Sequence, residues 1–380
     1  MKFAVLEYTS KSGRVWRHQE NKPNYLCNPQ TEIDPTSFGC YVSALKGEHV
    51  PLLGLIVGPV NHVSPAAVLF RKIIKRLSGS WPDDYNLEYL RRFDTIMTVH
   101  QLSDTREMIK AVNHLRETSP RPFIIGVPTQ PYGILRQAVE NNPISKKDLV
   151  DFIQSCDIFI SVVRDTVDWY TKISGVKASY LPQPYPTHYA TKFFKDGGHK
   201  NNTIIIAGVT QRSDITKGQL VAAAIQKKYP DLRILIPKVP ELDYDTTNLG
   251  QSKYEFLPFE QWSKHLQTIA RARLVINTDA TFTRGRVQTD CAAVGTPSIG
   301  ANSDGQRDLY PDLYSPDPAD VTDLIGQAIR LLTDSDYYQQ TVQIALDNLI
   351  KYDYQPSAER LMALVDQSLT QKIKSGMLWE

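Results

Sequence analysis

Residues 274–300 constrain the fold more than any other stretch. Leu274, Val275 and Ile276 form a short apolar run, which reads as a buried strand. Residues 277–286 are polar and contain Gly285, as in a loop. Val287, Cys291 and Val294 then recur at helical spacing, and Gly295 with Pro297 supplies the stop signals of a helix end. Ser298 and Ile299 start another strand. A strand, a polar loop, a short helix and a second strand make a βαβ unit, which calls for a parallel sheet covered by helices. In open α/β sheets, ligands sit outside the carboxyl ends of strands, where such a loop lies. Backbone N–H groups at the start of the helix, with Arg284 and Arg286 beside them, suit a phosphate. Asp290, one turn inside the helix, suits ribose hydroxyls. An ordinary βαβ unit with solvated arginines would carry the same pattern.

The stretch resembles the nucleotide-sugar signature of retaining GT-B glycosyltransferases of the group-1 family. That signature is a glutamate, a Gly-rich loop, a second glutamate eight residues on, then small residues and Gly-Thr-Pro. Asp290, Ala292, Gly295, Thr296 and Pro297 match its second half. The first half departs: Phe282 stands where the family has its first acid, and only Gly285 keeps the loop glycine. In the family the first acid holds the donor sugar and the second the ribose. The resemblance therefore implies nucleotide binding more firmly than sugar handling. The fold it implies is α/β of the GT-B type, two facing Rossmann-like domains with a cleft between them.

Bulk properties agree with a globular chain. Its 380 residues are 41% hydrophobic and 22% charged, enough for a sizeable core and, as a prior, two domains. A net charge of +2 gives no global basic field of the kind nucleic-acid binders show. Cys27, Cys40, Cys156 and Cys291 are scattered without a Cys-x-x-Cys, which fits free thiols in a reducing compartment and argues against structural zinc. The start of the chain turns polar too soon for a signal peptide, and no apolar run spans a bilayer. The expectation is a cytoplasmic protein with no membrane span and no metal site.

Along the chain, residues 2–7 read as a first buried strand, followed by a long polar stretch to residue 35. Loops this long are usually functional or disordered. By the resemblance, this one faces the cleft, and Arg14, Arg17 and His18 are the acceptor-side candidates, against the plainer reading of a solvated loop. Residues 68–77 are amphipathic and basic (Arg71, Lys72, Lys75, Arg76), with Arg91 and Arg92 following. Such a face is usually solvated, but it also suits anionic lipid or nucleic acid. Residues 93–99 read as a strand ending in His100. The family places a donor-facing histidine at the end of the next strand, which here has none, so His100 is the nearest catalytic candidate. Residues 105–115 read as a helix, 122–127 as a strand and 149–154 as the end of a helix capped by Ser145. Residues 156–163 are another strand, 165–173 a helix, and Pro182-Gln183-Pro184-Tyr185-Pro186 is too stiff to continue one. This places an N-terminal domain at 1–186, a polar linker at 187–200, a nucleotide-sugar domain at 201–350 and a C-terminal segment at 351–380. The last helix, 357–373, is expected to pack back on the first domain.

Residues 203–209 open the second domain as a strand ending near Gly208. A loop with Arg212 and Lys217 precedes a helix at 219–227, as in the family's second motif. A leaving nucleoside diphosphate develops negative charge. An arginine fork, a lysine and a helix N-terminus stabilise it without metal. Arg212 and Lys217 are thus the catalytic and donor-binding candidates, with Gly208, Arg284, Gly285, Arg286 and Asp290 completing the donor site. By the resemblance, Phe256 and Leu257, on a short strand at 254–258, lie beside the base. Residues 300–308 read as a polar glycine loop, and 321–332 and 337–349 as amphipathic helices. The implied activity is transfer of a sugar from a UDP- or GDP-sugar co-substrate, with retention, to a saccharide, lipid or nucleic-acid acceptor. No other cofactor is implied, and the chain offers no Asp-x-Asp. A non-catalytic nucleotide-binding protein and a sugar-nucleotide epimerase share the same pattern.

Overall fold

A computed structural model describes residues 1–7, 16–17, 27–28, 31–32, 38–51, 87–102, 105–196, 200–207, 215–238, 245–258, 260–314 and 320–375. The chain divides into two compact units. One comprises residues 1–130, 134–184 and 354–380, the other residues 131–133 and 185–353.

The first unit is built on β1 (Phe3–Glu7), three two-residue pieces β2 (Trp16–Arg17), β3 (Cys27–Asn28) and β4 (Thr31–Glu32), then β5 (Glu48–Pro51), β6 (Thr95–His100), β7 (Phe123–Pro128), β8 (Ile158–Ser161) and β9 (Ala178–Tyr180). The sheet order is β2-β5-β1-β6-β7-β8-β9, parallel except where β2 meets β5. Every residue of β6 and β7 is buried, as in a parallel sheet covered on both faces; β7 reads as a near-continuous apolar run, while β6 buries Thr95, Thr98 and His100 among its apolar residues. The helices are α1 (Gly39–Ala44), α2 (Leu87–Leu90), α3 (Thr105–Arg116), α4 (Tyr132–Asn141, whose first two residues count with the second unit), α5 (Pro143–Ser155) and α6 (Val167–Ser174). In α3, Met108, Ala111, Val112 and Leu115 share the buried face at helical spacing. The expected Ser145 cap is corrected. Asn142 caps α5, its Oδ1 accepting from Ile144 N at 2.9 Å, and Pro143 takes the first position, where its missing N–H costs nothing. Gly175 ends α6 at φ 71°, a left-handed position that suits glycine.

The second unit holds α7 (Thr187–Ala190), β10 (Thr203–Ala207), α8 (Ile215–Lys228), β11 (Arg233–Pro237), β12 (Tyr254–Leu257), α9 (Trp262–Arg271), β13 (Leu274–Asn277), α10 (Arg286–Val294), β14 (Ser298–Ile299), α11 (Asp304–Leu309), α12 (Val321–Thr333) and α13 (Ser335–Leu349). Its sheet is wholly parallel, in the order β12-β11-β10-β13-β14. The segment expected as a linker, 187–200, is instead built into this unit. It carries α7 and a further helical turn, and Lys200 Nζ donates to Ala270 O and to Thr296 Oγ1, both at 2.8 Å. Residues 300–308, expected as a loop, contain α11, because Ser303 Oγ accepts from Gln306 N at 3.0 Å and starts a helix there. The last helix, α14 (Tyr354–Lys374), belongs to the first unit, where Lys372 pairs with Asp157.

Candidate functional site

In the second sheet β10 lies between β11 and β13. The chain runs outward from β10 through β11 to β12 on one side, and through β13 to β14 on the other. The carboxyl ends of β10 and β13 therefore flank the point where strand order reverses, the usual ligand position in an open α/β sheet. Two helices begin there. The N-terminal turn of α8 carries Lys217 and lies close over the sheet at Gly218. A Cβ at Gly218 would stand 2.9 Å from Ile206 Cγ2 and 3.5 Å from Thr278 Oγ1. Only a residue without a side chain lets the helix start this near the strand ends.

The second helix, α10, follows the loop that leaves β13. Asn277, Thr278 and Asp279 are buried at its root. Asp279 Oδ1 accepts from Thr281 N at 2.8 Å and from Thr281 Oγ1 at 2.6 Å, which folds the loop back on itself. Gly133 N donates to Thr281 O at 3.0 Å, and the Tyr132 ring meets Phe282 edge-on at 5.9 Å. Phe282 takes φ 54°, an uncommon backbone state for an aromatic residue. Gly285 takes φ 90°, and a Cβ there would lie 2.6 Å from Gly305 Cα. Glycine at 285 is thus required both by its backbone angle and by the close approach to α11. It stands at the N-cap of α10, where no side chain caps the helix.

Asp290 is 2% exposed. Its Oδ1 accepts from Tyr185 Oη at 2.8 Å and from Trp262 Nε1 at 3.1 Å, and its Oδ2 lies 3.5 Å from Arg286 Nε. The carboxylate thereby joins the entry to the unit (Tyr185), the start of α9 (Trp262) and the first residue of α10 (Arg286). In this geometry it orients Arg286 from beneath. The sequence pattern showed the acid but not its partners, because Tyr185 and Trp262 lie 105 and 28 residues away.

The remaining expected residues are dispersed. Gly208, Arg212, Arg14 and His18 lie outside the described residues, as does the basic stretch Arg71–Arg76, and Arg17 is described only as the backbone of β2. Arg92 Nη2 pairs with Glu48 Oε1 at 2.7 Å, and Arg91 Nη2 lies 3.3 Å from His114 Nε2, so this pair serves the first unit's own contacts. Phe256 is 39% exposed on the edge strand β12, with Lys238 Nζ 5.4 Å from its ring centroid. The Leu257 carbonyl accepts from Lys238 N at 2.7 Å. His100 is corrected. It is 0% exposed, its Nε2 lies 2.8 Å from Thr105 Oγ1, its ring packs on Phe152, and burial holds its pKa down at about 3. A neutral imidazole sealed in the core is a structural hydrogen-bonder, not a group that meets a substrate. Among the described residues no three or more His, Cys, Asp or Glu are grouped to hold a metal ion, and no helix is long and apolar enough to cross a membrane. Gly218 and Gly305, which sequence reasoning left inside a loop, set the two close approaches. Their signal was a glycine inside a stretch otherwise able to form helix.

No protein-family model matches the chain, and no curated protein sequence matches it either. Solved structures do. Sucrose-phosphate synthase from Thermosynechococcus elongatus is similar with a TM-score of 0.60 at 13% identity, over 98% of this chain and 100% of that one. The α,α-trehalose 6-phosphate synthase from Burkholderia multivorans gives 0.64 at 10% identity, over 99% of each. TarM from S. aureus, solved with UDP, gives 0.56 at 11% identity, over 73% of this chain and 57% of that one. The likeness shows the fold: α/β, with two Rossmann-like units of the GT-B type, as the resemblance at residues 279–300 implied.

Proposed function

We propose that the protein is a glycosyltransferase whose second unit binds the nucleoside diphosphate of a UDP- or GDP-sugar at the carboxyl ends of β10 and β13. The observation that carries this reading is the start of α8, held against the ends of β10 and β13 by Gly218, together with the start of α10, which the chain reaches from β13 through the left-handed Gly285 packed on α11. Helix N-termini attract anions through their free N–H groups and dipole. Lys217 on α8 and Arg286 on α10 add positive charge, and Arg212 and Arg284 flank the same two helices in sequence. Asp290 acts through Arg286, which it holds in place, rather than by touching the ribose. The exposed Phe256 ring offers a flat apolar surface for a base. Cations and helix ends supply what a departing diphosphate needs, so transfer proceeds without a divalent metal. Sugar-phosphate synthases and a UDP-bound transferase among the structural neighbours support the class of reaction. The resemblance to retaining enzymes supports retention.

The test is release of UDP or GDP from a panel of nucleotide sugars with saccharide, glycolipid and oligonucleotide acceptors, after exhaustive chelation. Acceptor-dependent release is expected. Activity that appears only on adding Mn²⁺ or Mg²⁺ overturns the metal-free mechanism. A second reading, a non-catalytic nucleotide-binding protein, is favoured by one observation: Phe282, where the resembled family has an acid, cannot hydrogen-bond a sugar. Tight binding with no turnover under any acceptor decides for it.

A further inference from the structure

Gln288 is the third residue of α10, and its side chain is fully buried. Among the described residues neither Nε2 nor Oε1 has a hydrogen-bond partner. Buried amides in folded proteins are nearly always paired, so one left wholly unpaired calls for a reason. Long side chains in a helix lean toward its N-terminus. By that rule the Gln288 amide lies toward the start of α10, and Gln288 Cβ is 3.2 Å from where a Cβ at Gly305 would stand. This is the corner where Gly285, at the end of the loop 281–285, meets α11.

Resting on the nucleotide-sugar reading above, we infer that Gln288 recognises a hydroxyl of the group attached to the diphosphate. A carboxamide presents both donors and an acceptor. A phosphate oxygen only accepts, so it would leave Oε1 unpaired. A sugar hydroxyl donates and accepts, and satisfies both ends. A nucleobase edge could do the same, but β12, with Phe256, lies on the far side of β11 and β10 from β13. At about 4.8 Å per strand, the proposed base position is on the order of 14 Å from β13. The Phe282 side chain offers no hydrogen bond and the Thr289 hydroxyl is taken by Arg286 O at 2.8 Å, which leaves the Gln288 amide to meet a hydroxyl here. With the amide sealed, the hydroxyl reaches it only when the loop 281–285 gives way. The left-handed backbone of Phe282 is a sparsely populated state of the kind found at ligand clamps and switch regions.

The experiment replaces Gln288 with methionine, similar in length and apolar, and reads melting temperature and two affinities. The probes are UDP and GDP, and whichever of UDP-glucose, UDP-N-acetylglucosamine or GDP-mannose the wild type binds. The expected result is an unchanged or higher melting temperature, nucleoside-diphosphate affinity within twofold of wild type, and nucleotide-sugar affinity reduced about tenfold or more. Equal losses for diphosphate and sugar nucleotide, or no loss for either, overturn the inference. A clear fall in melting temperature shows the amide to be paired in solution and overturns it as well. If the wild type itself binds no nucleotide or nucleotide sugar, the proposed function fails first and takes this inference with it. That outcome is read in the wild type alone, whereas failure of the Gln288 assignment is read only in Gln288→Met.

Discussion

Two buried residues set the chemistry that single substitutions should expose. Asp290 accepts from Tyr185 and Trp262 and faces Arg286. Asp290→Asn removes the charge and turns an N–H₂ toward at least one donor. Breaking such a buried network costs about 2–3 kcal/mol. Urea denaturation should show that loss, and an unchanged midpoint would mean that Asp290 does not hold the three groups together. His100 gives a prediction in pH. Its folded pKa is pushed down to about 3 from 6.5 by burial. The folded state thus binds fewer protons than the unfolded state between those values. The stability that comes from burying the neutral ring is fully present above the unfolded pKa and is lost as pH falls toward 3. Between pH 7 and pH 5 the wild type should lose about 2 kcal/mol that His100→Asn does not lose. Parallel pH dependence in the two proteins would contradict the sealed, neutral ring. Asp290 itself was legible in the sequence, since its spacing to Gly295 marked it. Its role was not, because a carboxylate's partners are set by residues far along the chain. His100 was misread for the same reason: a strand-end position does not reveal whether neighbouring helices will cover it.

At the scale of elements, the strands and most long helices of both units followed from periodicity, but α4 did not, because it starts directly behind the turn signals of Pro128 and Pro131. The sequence pattern at 274–300 matched β13, α10 and β14 almost residue for residue. Short helices were harder. The helix α11 hides behind Gly305, and α8 starts four residues before the expected 219 because Gly218, which sequence propensity counts against a helix, is there for packing. The C-terminal helix α14 shows how a single acid can fasten an element. Asp157 is almost wholly buried, accepts from Ile124 N at 2.7 Å, and pairs with both Arg121 and Lys372. Asp157→Ala would leave two cations facing each other without their carboxylate. A loss of about 3 kcal/mol is expected. Faster amide exchange over 365–375 should accompany it. Exchange there that matches the wild type would show that the helix is held by its apolar face alone.

At the scale of the whole molecule, similarity at 10–13% identity over nearly the full length shows how little sequence a GT-B-type fold requires. In this chain the fold rests on the alternation of buried strands and amphipathic helices, with Gly218 where α8 starts close to the strand ends. The proposed function rests on binding of a nucleoside diphosphate where α8 and α10 begin. It is tested most directly by calorimetric titration of UDP and GDP into the wild type and into Lys217→Ala. Loss of one charge-assisted contact costs about 1.5–3 kcal/mol, roughly a tenfold to hundredfold weaker dissociation constant. Saturable binding of at least one of the two by the wild type, weakened to that extent by Lys217→Ala without a change in melting temperature, is the predicted result. Absence of binding to both nucleotides, or equal affinity in the two proteins, would contradict the claim.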